Sequence, residues 1–150
     1  MSQSLVKMYT HLVFSTKNRK HVLHKTIQPE LYSYLGGICN NLECYPVKIG
    51  GYTDHMHILC QLSKKIALMK ILEELKKSSS KWIKTKGDEF SGFYWQNGYG
   101  AFSVNPSEVD VVVRYIENQD EHHKKVLFQD EYRDFLIKYK VEYDERYVWD

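Results

Sequence analysis

The sequence predicts an α+β fold: a four-stranded antiparallel sheet with helices packed on one face, followed by a further helix. Three observations carry that expectation. Runs of strand length rich in β-branched and aromatic residues alternate with amphipathic stretches of helix length. Two of the apolar runs are separated by only two polar residues, as in a hairpin. Finally, the 150 residues, 43% hydrophobic and 27% charged, suit one domain with one sizeable core.

Tyr9 to Ser15 reads as the first strand, and it exits into the basic Lys17-Asn18-Arg19-Lys20. Thr26 precedes the first helix, with Pro29 in its opening turn and Leu31, Tyr34, Leu35, Ile38 and Leu42 at helical spacing. Val47 to Tyr52 and His55 to Leu62 form the hairpin around Thr53-Asp54. The second helix aligns Leu68, Leu72, Leu75, Ser79 and Trp82 on one face. Phe93 to Val104 reads as a strand with a turn or bulge at its glycines. Asn105-Pro106-Ser107 opens a third helix that buries Val109, Val112, Val113 and Ile116. A fourth helical segment runs from Glu131 to Tyr139. The resulting β-α-β-β-α-β-α order is the split β-α-β plan, ferredoxin-like or RRM-like. Such a plan hosts many functions, so chemistry must be read from residues. The expected organisation is a single domain over 1–150, with a core of about 8–124 and a C-terminal helical extension of about 125–150.

Composition narrows the function classes. The longest apolar runs fall far short of the roughly 18 residues that a membrane helix needs, so no membrane partner is expected. Met1 to Lys7 shows no charged leader followed by an apolar core, which makes a cytoplasmic location the expectation. Cys39, Cys44 and Cys60 lack paired CxxC spacing and read as buried, reduced thiols. Net charge is only +2, but eight lysines fall between Lys64 and Lys86 against Glu73 and Glu74, a local excess suited to phosphates. From Gln129 to Asp150 seven acids face four bases, so this acidic tail is expected to keep away from nucleic acid.

Two constellations carry chemistry. In Asp54-His55-Met56-His57, strand alternation projects His55 and His57 to the same side, which makes half a metal site or simply two sheet histidines. In Tyr115-Ile116-Glu117-Asn118-Gln119, Tyr115 and Gln119 stand four apart on one helix face, with His122 seven on from Tyr115. Spacing alone does not distinguish a nucleophile beside a ligand from a core tyrosine beside a solvated glutamine.

These residues resemble the single-tyrosine transposases of the HUH superfamily, of the insertion-sequence-200/605 type. The resemblance runs through His11 to Arg19, Gly50 to Leu59 with its His-hydrophobic-His strand, the Lys76 to Trp82 helix, Trp95 to Tyr99, and Tyr115 to Gln119 followed by His122-His123. It implies a divalent metal, magnesium or manganese, held by His55, His57 and Gln119, and Tyr115 as the attacking nucleophile. It implies single-stranded DNA hairpins at the ends of a mobile element as substrate, and a homodimer with active sites shared between subunits. No nucleotide cofactor is expected, because no Gly-rich phosphate loop occurs. Lys17, Arg19, Lys20, Lys76, Lys77, Lys81 and Lys84 are the candidate DNA contacts, with the aromatic run Phe93 to Phe102 for base stacking. His122 is a candidate neighbour of the metal. Glu117, Asp120, Glu121 and His123 are surface or supporting candidates. The alternative is a domesticated or non-catalytic module of the same fold that binds DNA or RNA hairpins.

Overall fold

The protein is described by a computed structural model covering residues 2–150. Four strands, β1 (Tyr9–Ser15), β2 (Pro46–Gly51), β3 (His55–Gln61) and β4 (Gly100–Val104), form one sheet in the order β2-β3-β1-β4, every pair antiparallel. Helices α1 (Gln28–Asn41) and α2 (Leu68–Ile83) fill the crossovers. The chain then runs through α3 (Val109–Glu117), α4 (Gln119–His122) and α5 (Phe128–Lys138). No helix is long and apolar enough to cross a membrane among the described residues.

Strand alternation assigns each sheet face a different task. Leu12 and Phe14 of β1 and Met56, Ile58 and Cys60 of β3 point to one side, where Leu31, Leu35, Ile71, Leu72 and Leu75 of α1 and α2 cover them. Each such fully buried Leu or Ile contributes on the order of 1.5–3 kcal/mol. Ser79, the one polar residue on the apolar stripe of α2, donates its hydroxyl to the Leu75 carbonyl (2.5 Å) and accepts the Trp95 indole N–H (2.9 Å).

The intervening residues His11, Val13, His55 and His57 point to the other side. There the C-terminal helices cover the sheet: Ile116 of α3 packs on Leu59 and Val104, and Phe128, Tyr132 and Leu136 of α5 pack on Val13 and Phe102. The histidine pair is therefore buried between the sheet and α5 rather than open to solvent.

Two elements differ from the sequence reading. The strand expected from Phe93 begins only at Gly100. Phe93 and Trp95 turn into the core under α2, and the Lys76 ammonium donates to the carbonyls of Gln96 (2.7 Å), Asn97 (3.1 Å) and Gly98 (2.8 Å). Those carbonyls are thereby diverted from a sheet ladder. The third helix is not continuous either. Asn105 accepts the Ser107 N–H to cap a 3-10 turn, α3 follows, and the chain breaks at Asn118 (φ −95°, ψ 20°) before α4.

Candidate active site

The β2–β3 hairpin sets the base of the site. Tyr52 donates its N–H to the His55 carbonyl (3.0 Å), and Gly51 lies so close that an added Cβ would sit 2.3 Å from that carbonyl oxygen. The tight turn places Asp54, only 5% exposed, directly before the first histidine. His55 and His57 then project together from β3, with ring centroids 5.0 Å apart and both side chains fully buried.

Each imidazole is oriented through its Nδ1. His55 Nδ1 lies 2.7 Å from Asp54 Oδ1, so it carries a proton and leaves Nε2 to face the site. His57 Nδ1 lies 2.8 Å from Nε2 of His11, a β1 histidine that the sequence reading did not single out as a site residue. Burial, reinforced by the nearby His57, holds His11 well below the usual histidine range.

Gln119 is brought in from the start of α4. Its Oε1 lies 2.9 Å from His55 Nε2 and 2.9 Å from His123 Nε2, while its Nε2 donates to Glu131 Oε2 (3.3 Å). The break at Asn118 does not separate Gln119 from Tyr115, because Gln119 Nε2 still reaches the Tyr115 carbonyl at 3.5 Å. Tyr115 sits edge-on to His57, with ring centroids 5.6 Å apart. Its hydroxyl donates to Glu131 Oε2 and lies 3.5 Å from His122 Nε2. In front of it opens a cavity of about 270 Å³ lined by His11, Tyr115, His122, Glu131 and Lys138 among others.

Glu131 is a second site residue, beside His11, that the sequence does not single out. From within the acidic tail, α5 sends this carboxylate into the site at 2% exposure. Its Oε1 lies 3.0 Å from His57 Nε2 and 3.3 Å from His55 Nε2, and its Oε2 lies 3.0 Å from His122 Nε2 and 3.2 Å from His123 Nε2. Burial pushes this carboxyl up, but hydrogen bonds to His123, His55 and His57 outweigh it and hold it well below the usual carboxylate range. The sequence did hold a signal. Phe128, Tyr132 and Leu136 mark one helical face, and Glu131 is an acid set on that apolar stripe.

The donor set fits a divalent cation. With His55 Nδ1 protonated, a neutral His55 aims the Nε2 lone pair at two acceptor oxygens, Gln119 Oε1 and Glu131 Oε1, which repel it. Either a second proton or a metal ion relieves that conflict. The proton alone accounts for the metal-free state: burial works against a charged His55, yet Asp54 and Glu131 raise it to about 9. His57 is lowered, chiefly by burial and against the pull of Glu131. The two imidazole nitrogens and the Glu131 carboxylate oxygen lie close enough together to hold one cation, with the Gln119 amide oxygen beside His55. Burial, and next the charge of Glu131, raise the Tyr115 phenol far above its ordinary value, so it stays protonated in the metal-free site.

The proposed DNA contacts lie apart from this cluster. Lys77 and Lys81 are exposed on α2, across the sheet, while Lys84 lies over the exposed Tyr94 ring at 4.4 Å. Lys17 and Lys20 line a cleft of about 380 Å³ with Tyr94, at the end of β1 next to the histidine hairpin. Lys76 is spent on the carbonyls of the 96–98 loop, and Arg19 donates to the Trp149 carbonyl (3.1 Å). Glu117 and Asp120 pair at the surface with Lys48 and Lys25, and Glu121 with Lys124.

Comparison with known proteins bears on the family and the fold. No curated protein matches the chain in sequence. Among solved structures, a candidate transposase from Deinococcus radiodurans R1 is similar at a TM-score of 0.62 and 23% identity, over 79% of this chain and 98% of that one. A REP-associated tyrosine transposase bound to a REP hairpin is similar at a TM-score of 0.61 and 17% identity, over 84% of this chain and 76% of that one. At these identities the likeness is one of fold. The family model described as "Transposase IS200 like" matches residues 4–119, which include both histidines, Tyr115 and Gln119. The chain belongs to the IS200-like transposase family.

Proposed function

We propose that the protein is a metal-dependent transposase that cuts and rejoins single-stranded DNA at the ends of an insertion sequence, with Tyr115 as nucleophile. The observation that carries this reading is the meeting of the Tyr115 hydroxyl with the paired Nε2 atoms of His55 and His57 around one buried carboxylate. His55, His57 and Gln119 would hold magnesium or manganese, which supplies charge neutralisation at the scissile phosphate. Tyr115 Oη forms a bond to phosphorus and gives up its proton. The bond from phosphorus to the 3′ oxygen breaks, and that oxygen takes up, in net balance, the proton the phenol released and leaves as a 3′-hydroxyl. The stored 5′-phosphotyrosine is reversed when another 3′-hydroxyl attacks, so no nucleotide cofactor is consumed.

Hairpin DNA is the proposed substrate, in keeping with the hairpin-bound relative. The cleft of Lys17 and Lys20 beside Tyr94, with Lys84 above the ring, offers a phosphate contact next to a stacking surface. Lys77 and Lys81 would extend that basic track along α2. Lys76 and Arg19 would contribute by shaping the loops they hold.

For assembly, the resemblance suggests a homodimer with shared sites. A second reading, a site closed within one chain, is favoured by the placement of Tyr115 against its own chain's His57.

The test is incubation with labelled single-stranded hairpin DNA and manganese or magnesium, followed by denaturing electrophoresis. A DNA-shifted protein band is expected, and Tyr115→Phe is expected to reduce it by at least about 100-fold. A band that survives in Tyr115→Phe moves the nucleophile elsewhere. No band across a range of hairpins favours the binding module.

A further inference from the structure

We propose that Glu131 is a fourth ligand of the metal, delivered by α5, and that its second oxygen positions Tyr115, so that metal binding fastens the docked α5 more tightly and orients the nucleophile together. This inference rests on the reading in which His55, His57 and Gln119 hold the ion. It adds a residue outside the stretch that the family model matches, which ends at residue 119.

Spacing supports it first. Donor atoms on adjacent corners of an octahedron with bonds of about 2.1 Å stand roughly 3 Å apart. His55 Nε2 to Gln119 Oε1 is 2.9 Å, His57 Nε2 to Glu131 Oε1 is 3.0 Å, and His55 Nε2 to Glu131 Oε1 is 3.3 Å. Glu131 Oε1 thus stands in the same relation to the two imidazoles as a neighbouring ligand would.

Charge supports it next. His55, His57 and Gln119 are neutral donors, and a hard divalent cation buried among neutral donors keeps its full charge in a poorly solvated place. A carboxylate at 2% exposure whose close partners among the described residues are imidazoles, an amide and a phenol is the matching counter-charge.

Anchorage supplies the third argument. Phe128, one turn before Glu131, stacks on the His55 ring with centroids 4.4 Å apart. Tyr132 and Leu136 pack with Phe128 against Val13 and Phe102. Oε2 is meanwhile held by Tyr115 Oη, His122 Nε2 and His123 Nε2. One oxygen is pinned beside the nucleophile while the other faces the histidine pair, so the carboxylate spans the two halves of the site.

The test uses the full chain and manganese alone. Calorimetric titration gives affinity, water-proton relaxation counts the waters on bound manganese, and amide hydrogen exchange reads α5. Wild type is expected to show protection of residues 128–138 on adding manganese. Glu131→Gln is expected to weaken binding roughly tenfold or more, to add one inner-sphere water, and to lose that protection. A merely structural glutamate would not change the water count. If Glu131→Gln lacks the wild-type circular dichroism, Glu131→Asp, one methylene short, carries the same expectation for the water count. Should His55→Ala/His57→Ala lose manganese while the Glu131 variant tested binds it with wild-type affinity and water count, this proposal is overturned and the metal site stands. Should the double histidine variant bind manganese like wild type, the metal reading itself is overturned.

Discussion

At the scale of single residues, Asp54 and His55 make a charge pair whose effect has a definite sign. In the metal-free protein, burial disfavours charged His55, but Asp54 and Glu131 win and raise it to about 9 from an ordinary value of 6.5. The groups facing the ring are Asp54, Glu131, Gln119, His57 and His123. A histidine raised on folding contributes stability that is fully present below pH 6.5 and is lost as pH rises through about 9. The loss is on the order of 3 kcal/mol. His57 is lowered and therefore acts below pH 6.5, outside this window. Lys76, lowered by burial to about 8, acts with the opposite sign above pH 8. The measurement is thus a difference: urea unfolding of wild type and Asp54→Asn, both in chelator, at pH 6.5 and 9.5. Wild type is expected to lose more stability over that interval than the variant. Equal losses would contradict the pairing.

At the scale of elements, α3, which carries the proposed nucleophile, is located by a glycine. An added Cβ on Gly50 of β2 would meet Ile116 Cγ2 at 2.7 Å and the Ile116 carbonyl oxygen at 3.1 Å. The second of these is backbone of α3, so the Ile116 side chain must shift and α3 must give by a few tenths of an ångström. Gly50→Ala is expected to cost about 1–3 kcal/mol in urea unfolding and to lower the covalent DNA adduct further than stability explains, since Tyr115 adjoins Ile116. Gly37→Ala, in α1 with nothing within 4 Å of the added carbon, is the control and is expected to stabilise by about 0.5–1 kcal/mol. If both variants keep a full adduct, α3 is not held by this contact. The same element scale shows what the sequence made legible. His55 and His57 were readable because strand alternation is local, and the hairpin because its turn is short. Tyr115 and Gln119 came from resemblance, and the break at Asn118 between them left no mark in the apolar spacing. Glu131 was obscured because its partners are distant in the chain and a carboxylate in an acidic tail looks like solvation. Lys76 was read as a phosphate contact because sequence spacing cannot show an ammonium turned toward loop carbonyls.

At the scale of the whole molecule, the sheet divides structure from chemistry. One face carries the apolar core of α1 and α2, and the other carries the histidines beneath α3, α4 and α5. All the side chains of the proposed site, Tyr115 included, meet within one chain. Giving Tyr115 to a partner's histidines would require α3 to leave the Gly50 contact, or Tyr115 to leave Glu131, within its own chain. The expectation is therefore that each chain uses its own tyrosine, whatever its oligomeric state. Mixing Tyr115→Phe chains with His57→Ala chains separates the two arrangements. Each variant alone leaves no intact site, and a site closed within one chain stays broken in the mixture. A shared site would be restored wherever the intact tyrosine of one variant meets the intact histidines of the other. The mixture, after partial unfolding and refolding together, is expected to form no more covalent DNA adduct than the two variants apart. Recovery of adduct in the mixture would show that α3 changes partners, and that the contacts around Gly50 and Glu131 are remade between subunits.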